Sequence, residues 1–177
     1  ISGSPEGYRT LPAQFARRLG IRVWAPDYRL APEYPFPAAL DDVTTAYEWM
    51  TRSGGDDDRI VAGGDSAGGA MTVSMMVRAR NAKLPMPRAG VVISPWADLE
   101  MRSASYLNRE GIDPVASRAV LQIMARAALG PRGLPQNAEA SPVNADVQGL
   151  PPILVQAGEN EVMLSDAIRL AAHLSDS

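Results

Sequence analysis

Apolar positions along the chain fall into two rhythms. Residues 5–19 place Leu11, Phe15, Ala16 and Leu19 at three- and four-residue spacing, the period of one helix face, and Gly20 supplies the stop. Residues 37–52 repeat the pattern with Ala39, Leu40, Val43, Ala46, Tyr47 and Met50. Further helices are predicted over 66–81, 115–129 and 164–174. The methionines of the first of these, Met71, Met75 and Met76, read as core filling. Between the helical segments lie short apolar runs at 21–28 (Val23, Trp24 and Ala25), 59–63, 89–94 and 153–157. These read as strands, and the last two are apolar enough to expect cover on both faces. Strands alternating with helices predict an α/β fold with a mainly parallel sheet flanked by helices.

Two stretches depart from this alternation. Residues 29–37 hold Pro32, Pro35 and Pro37 and read as a loop. Residues 101–149 separate the last two strands by far more than an ordinary connection. An insertion of this length after a strand usually covers the carboxyl edge of the sheet, where ligands bind. A helical lid is therefore expected over 101–149 within one domain of 1–177. Tyr106, Leu107, Ile112, Leu121, Ile123 and Met124 would line it or pack it. Asp56, Asp57 and Asp58 read as a solvated turn rather than a metal site.

Composition narrows the function classes. The 177 residues are 46% hydrophobic and 21% charged, an ordinary globular balance. The formal net charge of −3 speaks against nucleic acid as a partner. There is no cysteine and one histidine, His173, so disulfides, thiolate catalysis and His-rich metal sites are excluded. No apolar run reaches the roughly 18 residues of a membrane span. With no secretory signal, cytoplasm is the default location. Oligomeric state is left open, a homo-oligomer included.

The chemistry concentrates at Gly64-Asp65-Ser66-Ala67-Gly68. This fits G-x-S-x-G, follows the apolar run Ile60-Val61-Ala62 and opens a helix, the context a nucleophile elbow requires. The turn is tight, so its neighbours must be small, and Gly69 adds room. Ser66 would project above the sheet, and the Ala67 N–H at the helix start would donate to an oxyanion. The competing reading makes Ser66 a simple helix N-cap. Phosphate-binding glycine motifs are absent.

Other segments, together with the elbow, resemble one family. Asp27-Tyr28-Arg29-Leu30-Ala31-Pro32-Glu33, Pro35-Phe36-Pro37-Ala38-Ala39 with Asp41-Asp42, and Gly64-Asp65-Ser66-Ala67-Gly68-Gly69 are similar to the bacterial hormone-sensitive-lipase-like esterases of the α/β-hydrolase fold. So are Ser94-Pro95-Trp96-Ala97-Asp98-Leu99, Ser141-Pro142, and Leu150-Pro151-Pro152 followed by a strand and Gly158. The resemblance implies a carboxylic-ester hydrolase acting on short- to medium-chain acyl esters through an acyl-enzyme, with no cofactor or metal. Ser66 matches the nucleophile and Ala67 the oxyanion donor. Within Gly158-Glu159-Asn160-Glu161-Val162-Met163-Leu164-Ser165-Asp166 the triad acid falls on Glu161, with Asp166 as second choice. Asn160 stands where many members carry Asp. The implied substrate-binding positions are Asp65, Trp96 and Leu107. Asp27, Arg29 and Glu33 are expected to form a buried ion-pair network under the site, and Asp98 to cap a loop.

The same resemblance implies two parts outside these 177 residues: an H-G-G-G-like loop and strands before Ser2-Gly3-Ser4, and a strand bearing the catalytic histidine beyond the last helix. On this reading the sequence is truncated at both ends and nearly inactive alone, because a hydroxyl without a base is a weak nucleophile. His173 reads as a helix-packing residue. The rivals are a non-catalytic, ligand-binding member of the fold, a fragment without function alone, and an amidase or peptidase.

Overall fold

The computed structural model describes residues 3–52 and 60–177. The Asp56 to Asp58 turn lies outside them. The elements run α1 (Pro5–Tyr8), α2 (Thr10–Leu19), α3 (Ala38–Arg52), β1 (Val61–Asp65), α4 (Ala67–Asn81), β2 (Ala89–Ile93), α5 (Ser105–Asn108), α6 (Arg118–Leu129), a 3-10 turn (Pro142–Asn144), β3 (Ile153–Gln156) and α7 (Leu164–Ser175). The strands form a parallel sheet in the order β1-β2-β3. Val61 pairs with Ala89, and Gly90 with Ile153.

The core lies on one face of this sheet. Val73 and Val77 of α4, Val92 of β2 and Leu170 of α7 are buried together, with Ile153 and Val155 of β3 packed against them. A second cluster joins Leu40 and Tyr47 of α3 to Met75, Met76 and Ala79 of α4. Met75 and Met76 thus fill core space, whereas Met71 is only partly buried, and Tyr47 satisfies its hydroxyl by donating to the Pro85 carbonyl at 2.6 Å. Gly90 is required here. A Cβ on it would lie 2.9 Å from Met76 Cε and 3.0 Å from Ile153 Cγ1, closer than packed atoms tolerate.

Several expectations need correction. Residues 21–28 form no strand; they are irregular, with Trp24 59% exposed and Val23 38%. An apolar run becomes a strand only where another backbone pairs with it, and no described strand lies beside this one. The helix expected over 5–19 is divided at Arg9. Pro12 has no N–H to offer the Tyr8 carbonyl, and its ring crowds that oxygen. Its stripe is not buried: Leu11, Phe15 and Leu19 are 44%, 43% and 63% exposed. The strand placed at 59–63 runs instead from Val61 to Asp65, because Gly63 and Gly64 continue the ladder opposite Val91 and Val92. Of the two late strands, β2 has no exposed residue, whereas cover on both faces fails for β3. The face away from α4 and α7 leaves Leu154 at 62% and Val61 at 58% exposure. The helix expected from 115 starts at Arg118, where the Ser117 hydroxyl caps the Val120 N–H.

Candidate active site

β1 delivers Ser66 to the carboxyl edge of the sheet. Its backbone is held from both sides: the Ser66 N–H donates to the Ile93 carbonyl at 2.9 Å, and the Ser66 carbonyl accepts from the Trp96 N–H at 3.0 Å. Between these anchors Ser66 adopts φ 52 and ψ −121, a left-sided conformation that side chains rarely occupy and that costs roughly 1–3 kcal/mol. Gly64 makes the turn possible, since a Cβ there would collide with the Gly68 carbonyl group. Gly69 is nearly as constrained, its Cβ position lying 3.2 Å from Pro95 Cβ. The Ser66 side chain makes no capping hydrogen bond to α4, so the helix N-cap reading does not account for it. Ala67 is exposed at the first position of α4, where an N–H has no acceptor inside the helix.

The two acid candidates sit in different surroundings, although each keeps one buried oxygen, Glu161 Oε2 and Asp166 Oδ1, with no described donor. Glu161 sits in the turn between β3 and α7, at the same edge of the sheet as Ser66. Its Oε1 accepts from the Ser94 hydroxyl at 2.8 Å and from the Gly158 N–H at 2.9 Å. Ser94 directly follows β2 and adopts φ 48. Glu161 Oε2 is buried and accepts from no described residue. Asp166 lies in the first turn of α7 and is fully buried. Its Oδ2 accepts from the Tyr106 hydroxyl at 2.7 Å and from the Asp98 N–H at 3.0 Å. Burial pushes the Asp166 carboxyl up to about 6, against the lowering effect of those two donors. The same burial, with the Asp166 charge alongside, pushes the Tyr106 hydroxyl well above its usual range.

The remaining predicted positions are distributed unevenly. Asp65 accepts from the Tyr8 hydroxyl at 3.0 Å. Hydrogen bonding to Asp65 is the main reason that the Tyr8 hydroxyl is raised above its ordinary value. Trp96 meets Ser66 through its backbone, while its ring is buried with Met101, Tyr106, Leu121, Val162 and Met163. Leu107 is 65% exposed on α5. Ile112 and Ile123 are also exposed, whereas Leu121 is core. His173, on α7, has its Nε2 2.6 Å from the Ala145 carbonyl.

The expected ion-pair network under the site is absent among the described residues. Arg29 pairs instead with Asp42 at 2.7 Å on an exposed surface, while Asp27 and Glu33 are exposed. A Pro-rich loop has no regular backbone pairing to carry charges inward, so its charged side chains stay in water. Asp98 does cap its loop, its Oδ1 accepting from the Glu100 N–H at 3.0 Å. It is also fully buried and accepts from Arg169 Nη1 at 2.5 Å. Sequence reading missed that pair, and it missed Ser94, Ser105 and Asp113 as neighbours of the Glu161 turn. Single polar residues in loops carry no periodic signal. Only the motif Ser94-Pro95-Trp96 pointed near one of them.

Comparison with known proteins bears on family and fold. A protein-family profile described as alpha/beta hydrolase fold matches residues 1–177. An acetyl-hydrolase of Streptomyces hygroscopicus is 39% identical over 93% of this chain and 55% of its own length. An esterase of Acinetobacter venetianus is 32% identical over 94% and 55%. The crystal structure of an esterase from the bacterial hormone-sensitive lipase family superposes with a TM-score of 0.96 at 42% identity, covering 99% of this chain and 59% of that one. The chain thus spans a little over half the length of these relatives. Among the described residues no helix is long and apolar enough to cross a membrane. The chain belongs to the bacterial hormone-sensitive lipase family of the α/β-hydrolase fold.

Proposed function

We propose that the protein carrying this chain hydrolyses carboxylic esters with short- to medium-chain acyl groups, Ser66 being the nucleophile. The observation that carries this reading is the backbone of Ser66, held at φ 52 between two sheet-edge hydrogen bonds. Strain of this kind persists only where the surroundings impose it, and it aims the hydroxyl away from the helix it opens.

On this reading Ser66 Oγ attacks the ester carbonyl while an imidazole takes its proton. The Ala67 N–H donates to the oxygen that becomes negative. The imidazolium returns the proton to the departing alkoxide, leaving an acyl-enzyme that water cleaves by the same steps reversed. Glu161 orients the imidazole and stabilises its charge. Its free Oε2 is the atom suited to accept the imidazole N–H. Asp166 also keeps an oxygen without a described donor, Oδ1, but it is less suited because it is fully buried and its Oδ2 is taken by Tyr106 and Asp98. His173 is engaged by Ala145, so the imidazole is assigned to a segment beyond these 177 residues. The insertion 101–149 acts as the lid, and Asp65, Trp96 and Leu107 border the substrate. No metal or cofactor enters the reaction.

The engagement of His173 favours a second reading for the isolated 177 residues, a fold that binds without turnover. An organophosphate probe tests the first reading. Incubating the complete protein with diethyl p-nitrophenyl phosphate, followed by peptide mass mapping, is expected to place one diethylphosphoryl group on Ser66. Modification elsewhere, or none, contradicts it.

A further inference from the structure

We propose that Asp113 is a positioning residue for Glu161, through which the insertion grips the acid-bearing turn. This rests on the assignment of Glu161 as the triad acid. Within the turn from Gly158 to Val162, the Glu161 N–H donates to the Gly158 carbonyl at 3.3 Å and the Gly158 N–H donates to Glu161 Oε1 at 2.9 Å. Three residues of the insertion hold its backbone on both sides of Glu161. Arg109 Nε donates to the Glu159 carbonyl at 3.0 Å. The Ser105 hydroxyl donates to the Val162 carbonyl at 2.6 Å and accepts from the Ser165 N–H at 3.0 Å. Asp113 Oδ2 accepts from the Val162 N–H at 2.9 Å.

Asp113 differs from the other two because it serves both segments at once. Its Oδ1 accepts from the Val115 and Ala116 N–H groups at 2.8 and 3.0 Å, shaping the chain that leads into α6. One carboxylate therefore joins the entrance of the insertion helix to the residue next to the acid. Burial works to raise the Asp113 carboxyl, but the three backbone donors from Ala116, Val162 and Val115 outweigh it and hold it below the ordinary value. The shift favours the charged form, and a charged acceptor makes the stronger bond. A change in the insertion is transmitted to Glu161 through this joint.

The test is a set of variants of the complete protein, assayed with p-nitrophenyl butyrate across pH. Asp113→Ala is expected to lower kcat roughly 10- to 100-fold with KM little changed, since small misplacements of a catalytic group cost that much. The acid limb of its kcat/KM profile should move to lower pH, because a looser carboxylate supports the imidazolium less. Asp113→Asn keeps one acceptor oxygen and should fall between Asp113→Ala and wild type. Ser117→Ala uncaps α6 without touching the Glu161 turn, and should reproduce neither effect. In a Glu161→Ala background, adding Asp113→Ala should cost nothing further. A further loss there, an unmoved acid limb, or an equal effect from Ser117→Ala overturns the proposal. If Glu161→Ala alone leaves kcat intact, the acid assignment fails and this proposal with it. If only the Asp113 variants are silent, the proposal fails and the assignment stands.

Discussion

The Ser94 hydroxyl donates to Glu161 Oε1 at 2.8 Å, tying the residue that follows β2 to the turn that follows β3. With the Gly158 N–H on the same oxygen at 2.9 Å, the carboxylate cannot rotate freely, and Oε2 is the oxygen left to receive a partner. A buried acceptor without a donor is costly, about 1–3 kcal/mol, and a site of chemistry is where such a cost is tolerated. Ser94→Ala removes one of the two anchors. In the complete protein kcat for p-nitrophenyl butyrate should fall by about 10-fold with KM unchanged, one side-chain bond being worth on the order of 1.4 kcal/mol. An unchanged kcat would show that Gly158 suffices.

The conformation of Ser66 sets function against stability. Glycine occupies φ 52 without penalty, whereas alanine bears the same strain as serine. Ser66→Gly should therefore be more stable than Ser66→Ala by about 1 kcal/mol, after allowing for the greater freedom of glycine in the unfolded chain. Urea unfolding of the two inactive variants measures the difference. Equal midpoints would mean that the turn carries no strain.

Asp166 predicts a pH dependence of opposite sign to that of most carboxylates. Its folded value of about 6 lies above the ordinary 3.8, so the folded state holds the proton more tightly. Its contribution is fully present below about 3.8 and is lost as pH rises through about 6. The total is roughly 3 kcal/mol for a carboxyl this deeply buried. Relative to Asp166→Asn, the wild-type protein should gain stability as pH falls from 7.5 to 4.5. Thermal melts at several pH values read this directly, and a flat difference would contradict it.

Arg169 and Asp98 form a pair that cannot be halved cheaply. Asp98 is fully buried, and Arg169 reaches both its Oδ2 and, at 3.0 Å, the Ser103 hydroxyl. Arg169→Leu leaves Asp98 with Arg102 at 3.8 Å. The expected cost is about 3 kcal/mol. Adding Asp98→Asn should recover part of it, because the stranded charge is then gone. Chemical denaturation of both variants decides, and no recovery would place the cost in lost packing instead.

Most of the chain's periodic features were legible from sequence, the exposed stripe at 5–19 excepted, and its solitary ones were not. The apolar spacing of α3, α4 and α7 and the G-x-S-x-G turn are local signals, and each lies where the residues placed it. The run at 21–28 misled because pairing is a property of the neighbour, not of the run. Arg29 misled because burial was inferred for a loop that lies in water. Glu161 was readable only through resemblance. What singles it out physically, Ser94 across the sheet edge, is 67 residues away in sequence. Asp113 and Ser105 reach the same turn from the insertion, and nothing in their local sequence marks them.

An ester-cleaving serine at position 66 has one direct consequence. The most direct measurement is kcat/KM for p-nitrophenyl butyrate by the complete protein, beside its Ser66→Ala variant. With Ser66 as the nucleophile, the variant should lose at least about 10³-fold. Equal rates in the two proteins would contradict it.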